Sequence, residues 1–119
     1  MLINWRQPSH VYIVCGKTDL RKGIDGLAIV VAENFGMELY DHSLFLFCGS
    51  RNDRLKGLYW DDEGFILLYK RYENGKLQWP RNKAEVKELR PKQLKALLSG
   101  LAPFPQRRIH KIKWLFVNR

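Results

Sequence analysis

The sequence predicts an α+β domain: an antiparallel β-meander packed by one N-terminal amphipathic helix, then a second short helix and a basic C-terminal tail. Three observations predict it. An apolar stripe recurs at helical spacing between Leu20 and Phe35, three strand-like runs follow across tight turns, and a leucine-rich segment opens at Pro91. The expected division is one domain over residues 1–102 and the tail over residues 103–119.

The first element is Val11-Tyr12-Ile13-Val14-Cys15, short, β-branched and apolar, which suits a buried strand ending at Gly16. Thr18 has the chemistry of an N-cap, and Asp19 then adds negative charge to the first turn of a helix. Leu20, Ile24, Leu27, Val31 and Phe35 step by four, three, four and four, one stripe on a helix from about Asp19 to Phe35. Gly23 and Gly26 lie inside that helix and point to close approach by a neighbouring backbone. Gly36 suits the C-cap.

Leu44-Phe45-Leu46-Phe47-Cys48 is apolar on both faces and reads as a central strand. Arg54–Trp60 and Phe65–Tyr72 flank the turn signal Asp61-Asp62-Glu63-Gly64, and Gly49–Asp53 is a second turn. Asn74-Gly75 marks a third, leading to a short strand Lys76-Leu77-Gln78-Trp79 that stops at Pro80. Connections this tight favour antiparallel neighbours. After Pro91, Leu94, Leu97, Leu98 and Leu101 supply the apolar face of a helix ended by Gly100 and Pro103.

Charge carries the functional signal. The formal net charge is +9 and the isoelectric point about 9.8, which points to an anionic partner. Residues 1–80 hold 10 Lys/Arg and 10 Asp/Glu, whereas residues 81–119 hold 11 Lys/Arg against Glu85 and Glu88. The whole excess therefore lies in the last third. No apolar run approaches the ~18 residues of a membrane helix, and the N-terminus lacks the features of a signal peptide, so a cytoplasmic protein is expected. Cys15 and Cys48 sit in apolar runs as small buried thiols, and nothing in the Cys and His spacing suggests a metal site.

Arg51, Arg54, Lys56, Lys70 and Arg71 surround the central hairpin, interleaved with Tyr59, Trp60, Tyr69 and Tyr72. Cations for phosphates and aromatic faces for unstacked bases are the mixture that binds nucleic acid, although aromatics on a half-buried sheet also serve as core or cross-strand pairs. Alternation sends Lys70 and Arg71 to opposite faces. In the tail, Arg107, Arg108, Lys111 and Lys113 could track a phosphate backbone, while its apolar residues could instead dock on another protein. Asp61, Asp62 and Glu63 are the residues a hairpin turn needs, and they are too close in sequence to be metal ligands gathered from separate elements. No phosphate loop, nucleophile elbow or Ser/His frame argues for catalysis. No cofactor, metal or small-molecule substrate is expected.

Two stretches also resemble a known family. Val11 to Leu27, containing Thr18-Asp19-Leu20-Arg21-Lys22-Gly23-Ile24-Asp25-Gly26-Leu27, and Asp53 to Arg71, containing Tyr59-Trp60-Asp61-Asp62-Glu63-Gly64-Phe65 and Tyr69-Lys70-Arg71, are similar to the TnpB accessory protein of the IS sixty-six class of bacterial insertion sequences. Gln78-Trp79-Pro80 and the helix after Pro91 fit in order, so the likeness spans roughly residues 8 to 102. Lys17 stands where the family pattern has proline, and the Gln106–Arg119 tail lies outside the resemblance. The resemblance implies an accessory role in transposition, beside a separate transposase that carries the catalytic carboxylates. It does not extend to the much longer RNA-guided nuclease that shares the name TnpB.

The family run contains two further cations, Arg21 and Lys22, which would join the hairpin cations or simply solvate the helix start, with Asp25 one turn after Arg21 as its surface partner. The expected function is that of a non-catalytic accessory factor binding DNA through these basic residues. The alternative is a module that binds the transposase, its charge only assisting DNA affinity. A metal-dependent nuclease is the least supported reading.

Overall fold

A computed structural model describes residues 7–105. The fold is a five-stranded sheet with helical elements, β1 (His10–Val14), α1 (Ile24–Ile29) running into a π-helical turn (Val30–Asn34), β2 (Ser43–Phe47), β3 (Arg54–Trp60), β4 (Phe65–Arg71), β5 (Val86–Glu88) and α2 (Pro91–Leu98). The strand order is β4-β3-β2-β1-β5. β2, β3 and β4 form the expected antiparallel meander, with Leu44 opposite Tyr59 and Lys56 opposite Tyr69.

The sheet as a whole is mixed. β1 runs parallel to β2, with Ile13 beside Leu46, because the chain between them crosses over through α1, and a parallel pair requires such a crossover. The expected strand at Lys76–Trp79 does not form either. Its place in the order is taken by β5, which pairs antiparallel with β1, Ile13 facing Lys87. Residues 72–82 instead cross the sheet from the β4 edge to the β5 edge, with irregular bonds such as Leu77 N–H to Asn52 C=O at 2.6 Å and Gly16 N–H to Pro80 C=O at 2.8 Å. Pro80 has no N–H with which to continue a ladder.

The helix begins later than its apolar stripe. Thr18 does not cap it: the Thr18 N–H donates to the Cys48 carbonyl, and Asp19 closes a turn by accepting from the Arg21 N–H at 3.0 Å. Those bonds tie Thr18 to the end of β2 and fold residues 19–22 into a turn, so Gly23 becomes the N-cap, without a side-chain cap. No neighbour lies within 4 Å of a Cβ placed on Gly23, and the group nearest Gly26 is the Lys22 side chain at 2.9 Å, so the expected close backbone approach is absent at both. The C-cap is Phe35 and not Gly36, which follows it in the left-handed region at φ +62°.

Both sheet faces are covered. Val14, Phe45, Phe47 and Leu58 pack with Leu27 and Val31 on one face; Ile13, Leu46, Leu55 and Tyr59 pack with Leu77, Trp79 and Leu97 on the other. β2 lies between these layers and all five of its residues are buried, as its two-faced apolar pattern requires. Burying each of Phe45 and Phe47 contributes roughly 1.5–3 kcal/mol. The Asp61–Gly64 turn closes as expected, the Asp61 carboxylate accepting from the Glu63 and Gly64 N–H groups at 3.0 and 2.9 Å. Pro103 is buried and Phe104 packs on the α2-side core. Among the described residues no helix is long and apolar enough to cross a membrane.

β5 is tied to β1 by a side-chain bond, His10 Nδ1 lying 2.8 Å from Glu88 Oε2. That bond, with the Glu88 and Asp41 charges behind it, raises the His10 pKa above its ordinary 6.5. A raised folded-state value means the stabilisation is fully present below the unfolded pKa and is lost as pH rises through the folded one. Glu88→Gln should therefore return the His10 pKa toward 6.5, read by NMR titration of its ring protons.

Candidate nucleic-acid interface

Two loops leave the carboxyl ends of the parallel strands side by side. β1 is followed by Cys15-Gly16-Lys17 and β2 by Cys48-Gly49-Ser50-Arg51, so each strand is followed by Cys-Gly and, within two residues, a cation. The crevice outside the carboxyl ends of parallel strands is where open α/β sheets bind ligands. Here a cleft of about 800 Å³ opens between the loops, floored by β3 and β4 through Arg54, Lys56 and Tyr69.

Arg54 and Lys56 are two residues apart on β3, and Tyr69 and Arg71 are two apart on β4, so all four share the α1 side of the sheet. The Lys56 ammonium lies 5.7 Å from the centre of the Tyr69 ring and donates to the Lys22 carbonyl at 3.2 Å. Arg54 donates to the Tyr69 hydroxyl at 3.3 Å. Arg21 grips Asp19 with Nε and Nη2 at 3.0 and 2.9 Å, and the Asp19 pKa falls from 3.8 to about 2, through the Arg21 side chain first and its backbone N–H second. Asp53 is shared by Arg54 at 3.0 Å and Arg51 at 3.3 Å, and its pKa is also lowered, chiefly by Arg54.

Five cations (Lys17, Arg21, Arg51, Arg54 and Lys56) thus gather against Asp19 and the adjoining Asp53. Among the described residues no carboxylate lies within ion-pair distance of Lys17 or Lys56. Positive charge that no internal carboxylate neutralises is what an external anion meets.

The sequence-derived candidates separate accordingly. Arg21, Arg51, Arg54 and Lys56 converge on the cleft. Arg21 does so from a turn before the helix rather than from its first turn, and its carboxylate partner is Asp19, not Asp25. Lys22 lies outside the cleft lining: its carbonyl accepts from Lys56, and its side chain stands against Gly26. Arg71 faces the α1 side but binds Glu73 at 2.8 Å, outside the cleft lining. Lys70 points to the other face, its ammonium 4.8 Å from the Tyr72 ring. Arg107, Arg108, Lys111 and Lys113 lie outside the described residues.

Two participants escaped the sequence reading. Lys17 was legible as the cation that follows Gly16 just past β1. Arg81 had no such signal: its guanidinium donates to the Gly49 carbonyl, to Asn52 Oδ1 at 2.6 Å and to the Gly16 carbonyl at 3.4 Å, clamping the bases of both cleft loops. Beneath it Cys15 and Cys48 are free buried thiols, and burial pushes both thiol pKa values up, in Cys48 against the opposing pull of Arg81. A wider depression beside α2 mixes Arg81, Lys83, Lys87 and Arg90 with Glu85 and Glu88, so its positive charge is more nearly balanced.

The fold and the cleft define a small basic α+β protein with a cation-lined crevice at the carboxyl ends of its parallel strands. The chain belongs to the IS66 Orf2-like family, whose profile matches residues 9–108. It is accordingly a transposition-associated accessory protein of the IS66 class. It is 36% identical over 95 residues to "Uncharacterized protein y4hO" of Sinorhizobium fredii (strain NBRC 101917 / NGR234), covering 80% of this chain and 83% of the relative. A second protein of that strain, "Uncharacterized protein y4jC", is 32% identical over 92 residues, covering 77% and 79%. No solved structure matches the chain.

Proposed function

We propose that the protein serves transposition of its element by binding DNA through the cleft, without itself performing strand chemistry. The observation that carries this reading is the convergence of Lys17, Arg21, Arg51, Arg54 and Lys56, drawn from two loops and a strand, on one crevice. Side chains that repel one another are held together there by the Asp19 and Asp53 carboxylates, leaving a surplus of positive charge toward solvent. Such a surplus attracts a polyanion by releasing its condensed counterions. The tail cations Arg107, Arg108, Lys111 and Lys113 extend the same charge along the chain.

Fluorescence anisotropy with labelled DNA across a salt series tests the reading. Log affinity should fall steeply and linearly with log salt. A variant with Arg107, Arg108, Lys111 and Lys113 changed to glutamine should bind more weakly with a shallower slope. Absence of binding even at low salt would sink the DNA reading and turn attention to the transposase as the partner.

A further inference from the structure

Four aromatic residues accompany the hairpin cations, and the fold gives each a different surrounding. Tyr59 is 0% exposed in the core. Trp60 packs edge-on against Tyr40 and Phe65, at 4.8 and 5.0 Å, at the other end of the hairpin. Tyr72 lies on the opposite sheet face and donates to the Leu98 carbonyl. Tyr69 is the one among these four that lines the cationic cleft, and it is 55% exposed. Its ring is held rather than loose: Arg54 binds the hydroxyl, and Lys56 stands over the ring from the directly paired position on β3. β4 is an edge strand, and among the described residues no further strand closes the cleft on that side.

The shape of the site narrows the kind of DNA. Reading a duplex through its ~12 Å major groove requires a convex element, a helix or two-stranded ribbon that inserts. The cations here line an open concavity of about 800 Å³. A concavity that pairs phosphate-binding cations with one oriented, half-exposed aromatic ring fits a single strand, whose bases are free to leave the stack.

We propose that the cleft binds single-stranded DNA, an unpaired base lying on Tyr69 while neighbouring phosphates sit among Lys17, Arg51 and Lys56. This rests on the DNA reading above and adds to it the strandedness of the ligand and a base contact. Lys56 serves both parts, since its ammonium reaches the ring and has no carboxylate partner among the described residues. Stacking on Tyr69 tolerates any base, because every base has a π-face, so the contact selects strandedness rather than sequence.

The test is anisotropy of the full chain with three labelled ligands: a thymidine oligonucleotide, a strand of equal length and charge carrying abasic sites, and a duplex. The base-bearing strand should bind about tenfold tighter than the abasic strand. Tyr69→Leu should remove that difference and Tyr69→Phe should keep it; the position is exposed enough for both variants to fold. Equal affinity for abasic and base-bearing strands, or tighter binding of the duplex, overturns the stacking proposal while salt-dependent binding preserves the cleft as a phosphate site. No binding of any ligand at low salt overturns both.

Discussion

Replacing Trp79 with alanine is expected to lower the stability of the domain by about 3–5 kcal/mol, a large part of the ~5–15 kcal/mol that a domain commonly holds. Trp79 is 6% exposed, and its indole N–H donates to the Val14 carbonyl at 3.0 Å across 65 residues of chain. It lies in the segment that crosses the α2-side face of the sheet, where no ladder supports the backbone. That segment is held by what it buries, chiefly Trp79 and Leu77, together with a few irregular backbone bonds. It also delivers the chain to β5 and holds Arg81 beneath the cleft loops, so its loosening should be felt at both. Urea unfolding followed by circular dichroism measures the change. Trp79→Phe, which keeps most of the apolar body and loses the hydrogen bond, should cost only about 1–2 kcal/mol. A cost below about 1 kcal/mol for the alanine variant would mean that the indole does not anchor the crossing segment.

The elements legible in the sequence are those whose pattern is local. β3 and the Asp61–Gly64 turn declare themselves by alternation and turn chemistry, β2 by being apolar on both faces, and α2 by Pro91 at its first turn. What was misread depends on distant partners. Thr18 and Asp19 have the chemistry of a helix start, but whether they start one is decided by the Cys48 carbonyl, 30 residues away, which takes the Thr18 N–H. Lys76–Trp79 alternates like a strand, but whether an edge is open to pair with it is not written in its own sequence. Val86–Glu88, with far weaker propensity, becomes the strand because β1 offers an open edge. The parallel pairing of β1 and β2 was implicit in a helix lying between two strands, although the tight later turns argued for an antiparallel sheet throughout. The site divides likewise: two-residue alternation separates Lys70 from the cleft, whereas only the folded loops bring Lys17 and Arg21 beside Arg51.

Removing three of the cleft charges together, by Lys17→Gln, Arg51→Gln and Lys56→Gln, should weaken single-strand DNA binding about a hundredfold at 0.1 M salt. Each phosphate contact contributes about 0.7 to the slope of log affinity against log salt for single strands, so three lost contacts flatten it by about 2. The effect should be one of binding and not of folding. Lys17 and Lys56 have no carboxylate partner among the described residues, and Arg51 only shares Asp53 with Arg54, so stability should change by less than about 1 kcal/mol. Lys70→Gln supplies the control that composition alone could not choose. It removes one positive charge from the same hairpin but from the opposite face, where Lys70 lies over Tyr72. If the cleft is the site, Lys70→Gln leaves the slope unchanged while the triple variant flattens it. If net charge alone governs binding, each lost cation counts equally, and Lys70→Gln should show a third of the triple variant's effect.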